Sequence, residues 1–330
     1  VSGGHPGADP ALAVIMPTIS WEGSFEPCAR RVLELLRPGD RFVVVFDGES
    51  PPAPAWLQRA EVELLATGQR AGPGVARNLG ARTASAPMLL FVDADVELHH
   101  DSLERIRAHF RPPQAWAAVF GSYDDRPVAR GLVSEFRNLL HHYTHSSHPG
   151  PAASFWAGCG AVRRDRFLAL GGFDARYGSP SIEDIEFGMR LDADGGRILL
   201  DPTILCTHHK RWTLRSMVRT DIRQRALPWS RLLKEKSQLP ATLNLSIASR
   251  LSGLASVLLP LSLLASPWGP ALLKLAAALV LSLLLLNRRF YGFLLRHRGP
   301  GFLLGSLPLH WLYLFYSTLC FASVRLGVVR

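Results

Sequence analysis

Met88-Leu89-Leu90-Phe91-Val92-Asp93-Ala94-Asp95 decides the fold. An apolar run that stops at two carboxylates one residue apart describes a buried strand ending at a charged edge. In an open α/β sheet, ligands bind just beyond the carboxyl ends of the strands. Two Asp at such an edge suit a hard divalent cation, which takes oxygen ligands and often bridges to substrate phosphates. A D-x-D in isolation serves equally well as a strand terminus, because Asp favours turns. The surrounding residues give the pair its meaning.

Upstream, residues 11–16 (ALAVIM) form a short apolar run that ends at Pro17-Thr18. Residues 41–46 (RFVVVF) predict a second buried strand ending at Asp47-Gly48, and 62–65 a third. Apolar spacing behind Ser24 predicts a helix over 25–36, stopped by Pro38-Gly39. Gly72-Pro73-Gly74 opens another helix, which leads into the Met88 strand. Downstream, Asp101-Ser102-Leu103-Glu104 has capping-box spacing. Residues 117–120 read as a strand, and 130–148 as a helix carrying His141, His142, His145 and His148. Strands alternating with helices predict an α/β fold, with a mostly parallel Rossmann-like sheet and helices on both faces. Pro17-Thr18, Asp47 and Asp93/Asp95 are then strand ends that converge on one crevice.

The 330 residues carry a formal net charge of +10, almost all of the basic residues being Arg. Mean hydropathy is +0.11, high for so charged a chain. The cause is local: residues 1–238 read as a charged globular domain with interfacial helices over about 211–238, and 239–330 as an apolar helical membrane region. Spans are expected at 243–265, 268–286 and 302–324, with Arg250 and Lys274 inside the first two. A bilayer core needs about 20 apolar residues per helix. Four arginines (Arg288, Arg289, Arg296, Arg298) fall in 287–301, whereas the linker 266–269 is uncharged. The positive-inside rule puts the Arg-rich loop and the globular domain on the cytoplasmic side of a multi-pass inner-membrane protein. A re-entrant hairpin for the first two spans fits the same pattern. Cys28, Cys159, Cys206 and Cys320 lie far apart, a spacing that suits a reducing compartment rather than a zinc site or disulfide framework. Residues 11–16 are too short for a signal-peptide core. A basic surface attracts nucleic acid, nucleotide phosphates or anionic lipid; the apolar tail tips that choice toward lipid, and no nucleic-acid-binding module accompanies the charge.

Two segments carry chemistry. Residues 70–80 (RAGPGVARNLG) place glycines at a helix start with Arg77 one turn inside. Helix N-termini and guanidinium groups both favour phosphate. The absence of Lys-Ser/Thr after the glycines excludes a P-loop. Further on, Gly171-Gly172-Phe173-Asp174 precedes residues 181–191 (SIEDIEFGMRL). Ser181 and Asp184 have capping-box spacing, and Glu186 and Arg190 are expected to pair on the surface. Asp184, Gly188 and Leu191 share a helix face, and the missing side chain at Gly188 is expected to leave room beside the carboxylate. A carboxylate there can serve as general base toward a hydroxyl, an effect typically of about 10²–10⁴-fold.

The order of these motifs, Asp47-Gly48, G-x-x-x-A-R-N-x-G (Gly72 to Gly80), D-A-D, G-G-F-D and Glu183-Asp184, resembles family 2 glycosyltransferases of the GT-A fold over about residues 11–230. The resemblance implies inverting transfer of a sugar from a nucleoside-diphosphate sugar, with UDP favoured, in cell-envelope glycan biosynthesis. It assigns Asp47 to the base, Arg77 to the nucleotide or diphosphate and Asp93 to the ribose or sugar, with Pro17, Thr18, Gly74 and Asn78 lining the same nucleotide-sugar pocket. Asp95 and His208 would hold a divalent metal, Mg2+ or Mn2+. Asp184 would be the catalytic base with Glu183 beside it. Gly158, Cys159 and Gly160, together with Arg225 and Trp229, would lie on the acceptor side. Phe46 departs from the family, in which many members have an Asp, and Gln224-Arg225-Ala226-Leu227-Pro228-Trp229 does not match the processive Q-x-x-R-W element. The apolar tail adds the expectation of a lipid- or polyprenyl-linked acceptor. A nucleotidyltransferase on a similar sheet and an inactive membrane nucleotide-sugar-binding protein are the competing readings.

Overall fold

The computed structural model describes residues 10–113, 116–235 and 246–329. They form two compact units. The first comprises the described residues up to Val128 with His145–Lys210, and the second comprises Ala129–Thr144 with the described residues from Arg211 onward.

In the first unit, β1 (Leu12–Thr18), α1 (Phe25–Leu35), β2 (Arg41–Phe46), β3 (Val62–Ala66), α2 (Pro73–Thr83) and β4 (Met88–Val92) follow one another. The strands lie parallel in the order β3-β2-β1-β4. Every residue of β1 and of β4 is buried, as expected for parallel strands covered on both faces. Alternate residues of β1 divide the cover. Leu12, Val14 and Met16 belong to the core formed with Phe25, Cys28 and Val32 of α1. Ile15 faces the other way, where Gly80 of α2 lies so close that an added Cβ would sit 2.8 Å from the Ile15 side chain.

The next elements are β5 (Val96–Leu98), α3 (Ser102–Ala108), β6 (Ala118–Tyr123), α4 (Leu132–Ser146, most of it in the second unit), β7 (Gly150–Ala152), β8 (Cys159–Arg163), α5 (Arg164–Ala169), α6 (Glu183–Ala193) and β9 (Ile198–His208). They turn the sheet from parallel to mixed. β8 enters antiparallel between β4 and β6, β9 lies parallel to β6, and β5 and β7 pair antiparallel with β9. Neither β8 nor the two three-residue strands has enough length for alternation to betray it, and tertiary pairing alone makes them strands. The expected capping box at α3 does not form. Asp101 stands at the N-cap without a side-chain cap bond, and its carboxylate instead accepts from Arg105 at 2.6 Å. Ser24 likewise precedes α1 without capping it.

One buried ion pair ties the start of the sheet to α3. Asp40 accepts from the backbone N–H groups of Leu12 (3.0 Å) and Arg37 (2.8 Å) and from the Arg107 guanidinium. Arg107, only 2 % exposed, also donates to the Pro10 carbonyl at 2.7 Å.

In the second unit, the α4 residues Phe136, Leu139 and Leu140 pack with Trp212, Met217, Phe290, Phe293, Leu294 and Leu309. The later elements are α7 (Leu214–Thr220), a π-helical turn (Asp221–Ala226), α8 (Leu227–Glu235), α9 (Ile247–Ala265), α10 (Pro270–Leu286) and α11 (Arg288–Arg325). Buried Asp221 accepts from Arg137 at 3.0 Å and from the Tyr316 hydroxyl at 2.6 Å. α9 and α10 form a hairpin whose base is pinned by Asn287 Nδ2 donating to Ser252 Oγ at 3.0 Å. Among the described residues, α9 (with the turn after it) and α11 are long and apolar enough to cross a membrane, whereas α10 has only 17 residues. Residues 243–245 of the first expected span and 236–238 of the expected interfacial segment lie outside the described residues. The segment 287–301 is not the loop that its arginines suggested. It is helical from Arg288 with a break at Gly299 (φ 82°), because Phe290, Phe293 and Leu294 recur at helical spacing and bury against α4.

Replacing Asp40 with Ala strands the Arg107 charge in the core. Stability is expected to fall by about 3–5 kcal/mol, measured as a lower unfolding midpoint, with β2 and α3 losing amide-exchange protection together.

Candidate active site

The site grows from the turn after β4. The Asp93 N–H donates to the Gly158 carbonyl (3.3 Å) and the Asp93 carbonyl accepts from Val96 (3.0 Å), so the chain reverses between the two carboxylates. β5 then pairs with the end of β9 and sets Val96 opposite His208. This register brings His208 Nε2 to 3.7 Å from Asp95 Oδ2, while the His209 N–H donates to the Asp95 carbonyl at 2.9 Å. Tyr123 stacks on the His208 ring at 4.3 Å, and His209 Nε2 is held by Glu97 at 2.8 Å. A separation of 3.7 Å is too long for a hydrogen bond and short enough for one divalent ion to touch both groups. Among the described residues no cluster of three ligating side chains exists. A Mg2+-like ion bound by one or two protein groups completes its shell with water and substrate phosphates; Asp95 and His208 fit that donor set. Burial opposes ionisation of Asp95, but His208 and Lys210 hold its carboxyl below the ordinary range. Burial raises Asp93, and Asp95 adds to the rise while Arg77 opposes it.

Arg77, expected at the nucleotide or diphosphate, is engaged by protein carboxylates. Its side chain is 5 % exposed and bridges two carboxylates, Asp93 Oδ1 at 2.5 Å and Glu183 Oε1 at 2.9 Å. Those charges keep the guanidinium protonated despite its burial. Glu183 uses its other oxygen to accept from the Ser181 N–H at 3.0 Å. Asp184, the next residue, turns elsewhere. Its Oδ2 accepts from the Ala157 N–H at 3.0 Å and its Oδ1 from the Ile185 N–H at 2.8 Å, so it does not cap α6, whose N-cap is Ile182. Burial, then the neighbouring Glu183 charge, pushes Asp184 up to about 7. Asp95, Asp93, Arg77, Glu183 and Asp184 thus form one run of charged groups within the first unit.

Several expected contacts take a different form. Both oxygens of Asp47 are engaged by the entry to α2, accepting from Ala71 N–H (2.8 Å) and Gly72 N–H (3.0 Å), with the Thr67 hydroxyl at 3.2 Å. Thr18 spends its hydroxyl on the Ser20 carbonyl at 2.6 Å, and Pro17 is a sheet residue opposite Val45. Asn78 is buried, and both ends of its amide are taken by Phe173: Nδ2 donates to the carbonyl at 2.7 Å and Oδ1 accepts from the N–H at 2.9 Å. Gly74 packs against Glu183 and Phe173. Cys159 is wholly buried in β8, and Gly158 and Gly160 lie against Trp156 and Phe155. Gly188 leaves no room either. A Cβ there would meet the Phe155 nitrogen at 2.2 Å, because α6 packs directly on the backbone that positions Ala157. Glu186 and Arg190 do pair, at 2.8 Å, but Glu186 is buried and Arg190 also holds the Leu170 and Gly172 carbonyls at 2.6 Å. Arg225 and Trp229 belong to the second unit, where Arg225 lies 3.8 Å from Asp221. The Ala157 N–H and the Tyr123 stack carry no sequence signature; Lys210 stands in the basic run after His208.

Residues 13–170 match the model of glycosyl transferase family 2. A pre-mycofactocin glycosyltransferase of Mycobacterium tuberculosis is 29% identical over 204 residues, covering 57% of this chain and 41% of that protein. A validoxylamine A glucosyltransferase of Streptomyces hygroscopicus subsp. limoneus is 29% identical over 229 residues, covering 58% of this chain and 50% of that protein. The chain thus spans half or less of the length of these curated relatives. Among solved structures, a mannosyltransferase from Pyrobaculum calidifontis in complex with GDP-Man and Mn2+ shares the fold with TM-score 0.59 at 18% identity, over 96% of this chain and 88% of that one.

Asn78→Ala removes both partners of the Phe173 backbone. Leaving those buried groups unpaired is expected to cost about 2–4 kcal/mol, read as a lower unfolding midpoint together with faster amide exchange at 172–174.

Proposed function

We propose that this protein, whose residues 13–170 match the model of glycosyl transferase family 2, moves a sugar from a nucleoside-diphosphate sugar to an acceptor hydroxyl, inverting the anomeric centre. The observation that supports this reading is the run from Asp95, 3.7 Å from His208, through Asp93, Arg77 and Glu183 to Asp184, whose carboxyl is pushed up to about 7. The acceptor oxygen attacks the anomeric carbon while its proton passes to Asp184. The carbon–oxygen bond to the diphosphate breaks on the opposite face, and the electron pair leaves with the diphosphate. A general base works best with a pKa near the working pH, and Asp184 meets that condition. The Ala157 N–H orients its carboxylate, and Arg77 fixes Glu183 so that the first turn of α6 is held in place. Asp95 and His208 would hold Mg2+ or Mn2+, whose charge balances the departing diphosphate. The positive end of α2, opened by Gly72-Pro73-Gly74, adds to that stabilisation.

The acceptor we propose is lipid-linked and presented at the cytoplasmic membrane face. Its support lies in the second unit. α9 is about 28 Å long, close to the thickness of a hydrocarbon core, and its leucines at 254, 258, 261 and 264 are exposed, as is Trp268 at the uncharged hairpin tip. The exposed Arg289 and Arg296 on α11 agree with a cytoplasmic placement of that helix start. A screen of nucleotide sugars that measures nucleoside diphosphate release, with membrane lipid extract as acceptor, tests both parts. Release of pyrophosphate instead would make the protein a nucleotidyltransferase, and donor binding without any release would make it a sensor.

Asp184→Asn is expected to lower turnover by about 10²-fold or more while the dissociation constant of the donor stays unchanged. Turnover of the unaltered protein should fall about tenfold per pH unit below pH ~7, where Asp184 becomes protonated. The sign for stability is opposite. A folded-state value raised above the unfolded one favours the fold at low pH, and that contribution is lost as pH rises through about 7. At pH ~8 the Asn variant should therefore unfold at the same or a higher temperature than the parent. Chelation, or His208→Ala, is expected to weaken donor binding, measured by titration calorimetry over a range of Mn2+ concentrations.

A further inference from the structure

Arg211, Arg215, Arg219 and Arg223 follow one another at four-residue steps into and along α7 and the π-helical turn of the second unit. All four are exposed, and among the described residues none of the four guanidinium groups has a hydrogen-bond or ion-pair partner. Between 211 and 234 the only acidic residue is Asp221, which is buried and engaged by Arg137 and Tyr316. The opposite face of the segment is spent on packing, through Trp212 and Met217. Like charges four residues apart on a helix repel by a few tenths of a kcal/mol per pair. Arg215 also stands in the first turn of α7, where the helix dipole favours anions. A row of cations with no side-chain counter-charge among the described residues suits an anion from outside the chain.

We propose that this row docks onto the head groups of anionic phospholipids. The guanidinium fork matches phosphate geometry, and a basic row beside inserted apolar helices is drawn to an anionic leaflet. Two observations favour a lipid surface over a soluble anion. Leu214, beside Arg215, is 47 % exposed, an apolar side chain among the charges. The same unit carries the α9–α10 hairpin with its bare leucines and Trp268. The proposal rests on the membrane reading of that hairpin, and the two can fail separately.

The full chain is mixed with vesicles of phosphatidylcholine, with or without phosphatidylglycerol. Flotation on phosphatidylcholine in high salt reports the apolar helices, the hairpin among them, without the arginines. Amide exchange over 211–225 reports the arginines. It is expected to slow several-fold only on phosphatidylglycerol, with the difference vanishing in molar salt and in the Arg215→Gln/Arg219→Gln/Arg223→Gln variant. Equal exchange on both vesicles overturns the proposal. Should the chain not float on phosphatidylcholine, the hairpin reading falls. Salt-sensitive flotation on phosphatidylglycerol, weakened about fivefold for each arginine removed, then supports the arginine row, and its absence ends it. Equal protection by inorganic phosphate without vesicles identifies a soluble anion and overturns the lipid assignment.

Discussion

The guanidinium of Arg77 is the contact on which the site depends. A buried cation is tolerated only when its charge is met by opposite charge and hydrogen bonds, and here Asp93 and Glu183 supply both. The two carboxylates come from unrelated places, one from the turn after β4 and the other from the first turn of α6. By requiring both, Arg77 fixes how the central strand end meets the helix that carries Asp184. The same charge lowers the cost of gathering Asp93, Asp95, Glu183 and Asp184 in one region, which would otherwise be opposed by mutual repulsion.

Close backbone approach completes that arrangement. Gly188 lets α6 lie on the Ser154–Phe155 backbone, and Gly72 lets the entry of α2 pass the loop at Gly178, where an added Cβ would sit 2.7 Å from a carbonyl carbon. Gly72 also has a φ of 93°, a value that favours glycine. These glycines are valuable for the side chains they lack, because the functional groups nearby belong to backbone N–H donors such as that of Ala157. In the second unit the same economy places Gly253 against Thr318, while Asp221 gathers Arg137 and Tyr316 around a buried charge.

Much of the fold was legible from the chain alone. β1, β2 and β4 are continuous apolar runs, and such runs become buried parallel strands wherever helices separate them. The D-A-D edge, the glycine-opened helix and Glu183-Asp184 were recognisable because each is a local pattern with a local chemical meaning. Of the mixed half of the sheet, 117–120 was legible, but its short strands were not. Cys159–Arg163 and Val96–Leu98 are too short to show a period, and only pairing with β4 and β9 makes them strands. The Arg-rich stretch from 288 misled for a related reason: its charges are conspicuous, whereas Phe290, Phe293 and Leu294 reveal their role only once α4 is beside them.

What the sequence determined by itself was the inventory: which strands are buried, where carboxylates end them, which helix starts bear glycines and where the apolar helices lie. Those properties follow from residue type and spacing over a few turns. The tertiary structure alone decided which of these groups find hydrogen-bond partners within the protein. Asp47, Asn78 and Arg77 read alike as ligand-binding residues, yet all three are engaged by protein partners, up to 106 residues apart in the chain. Hydrogen-bond saturation is a property of three-dimensional neighbours, and no one-dimensional spacing encodes it.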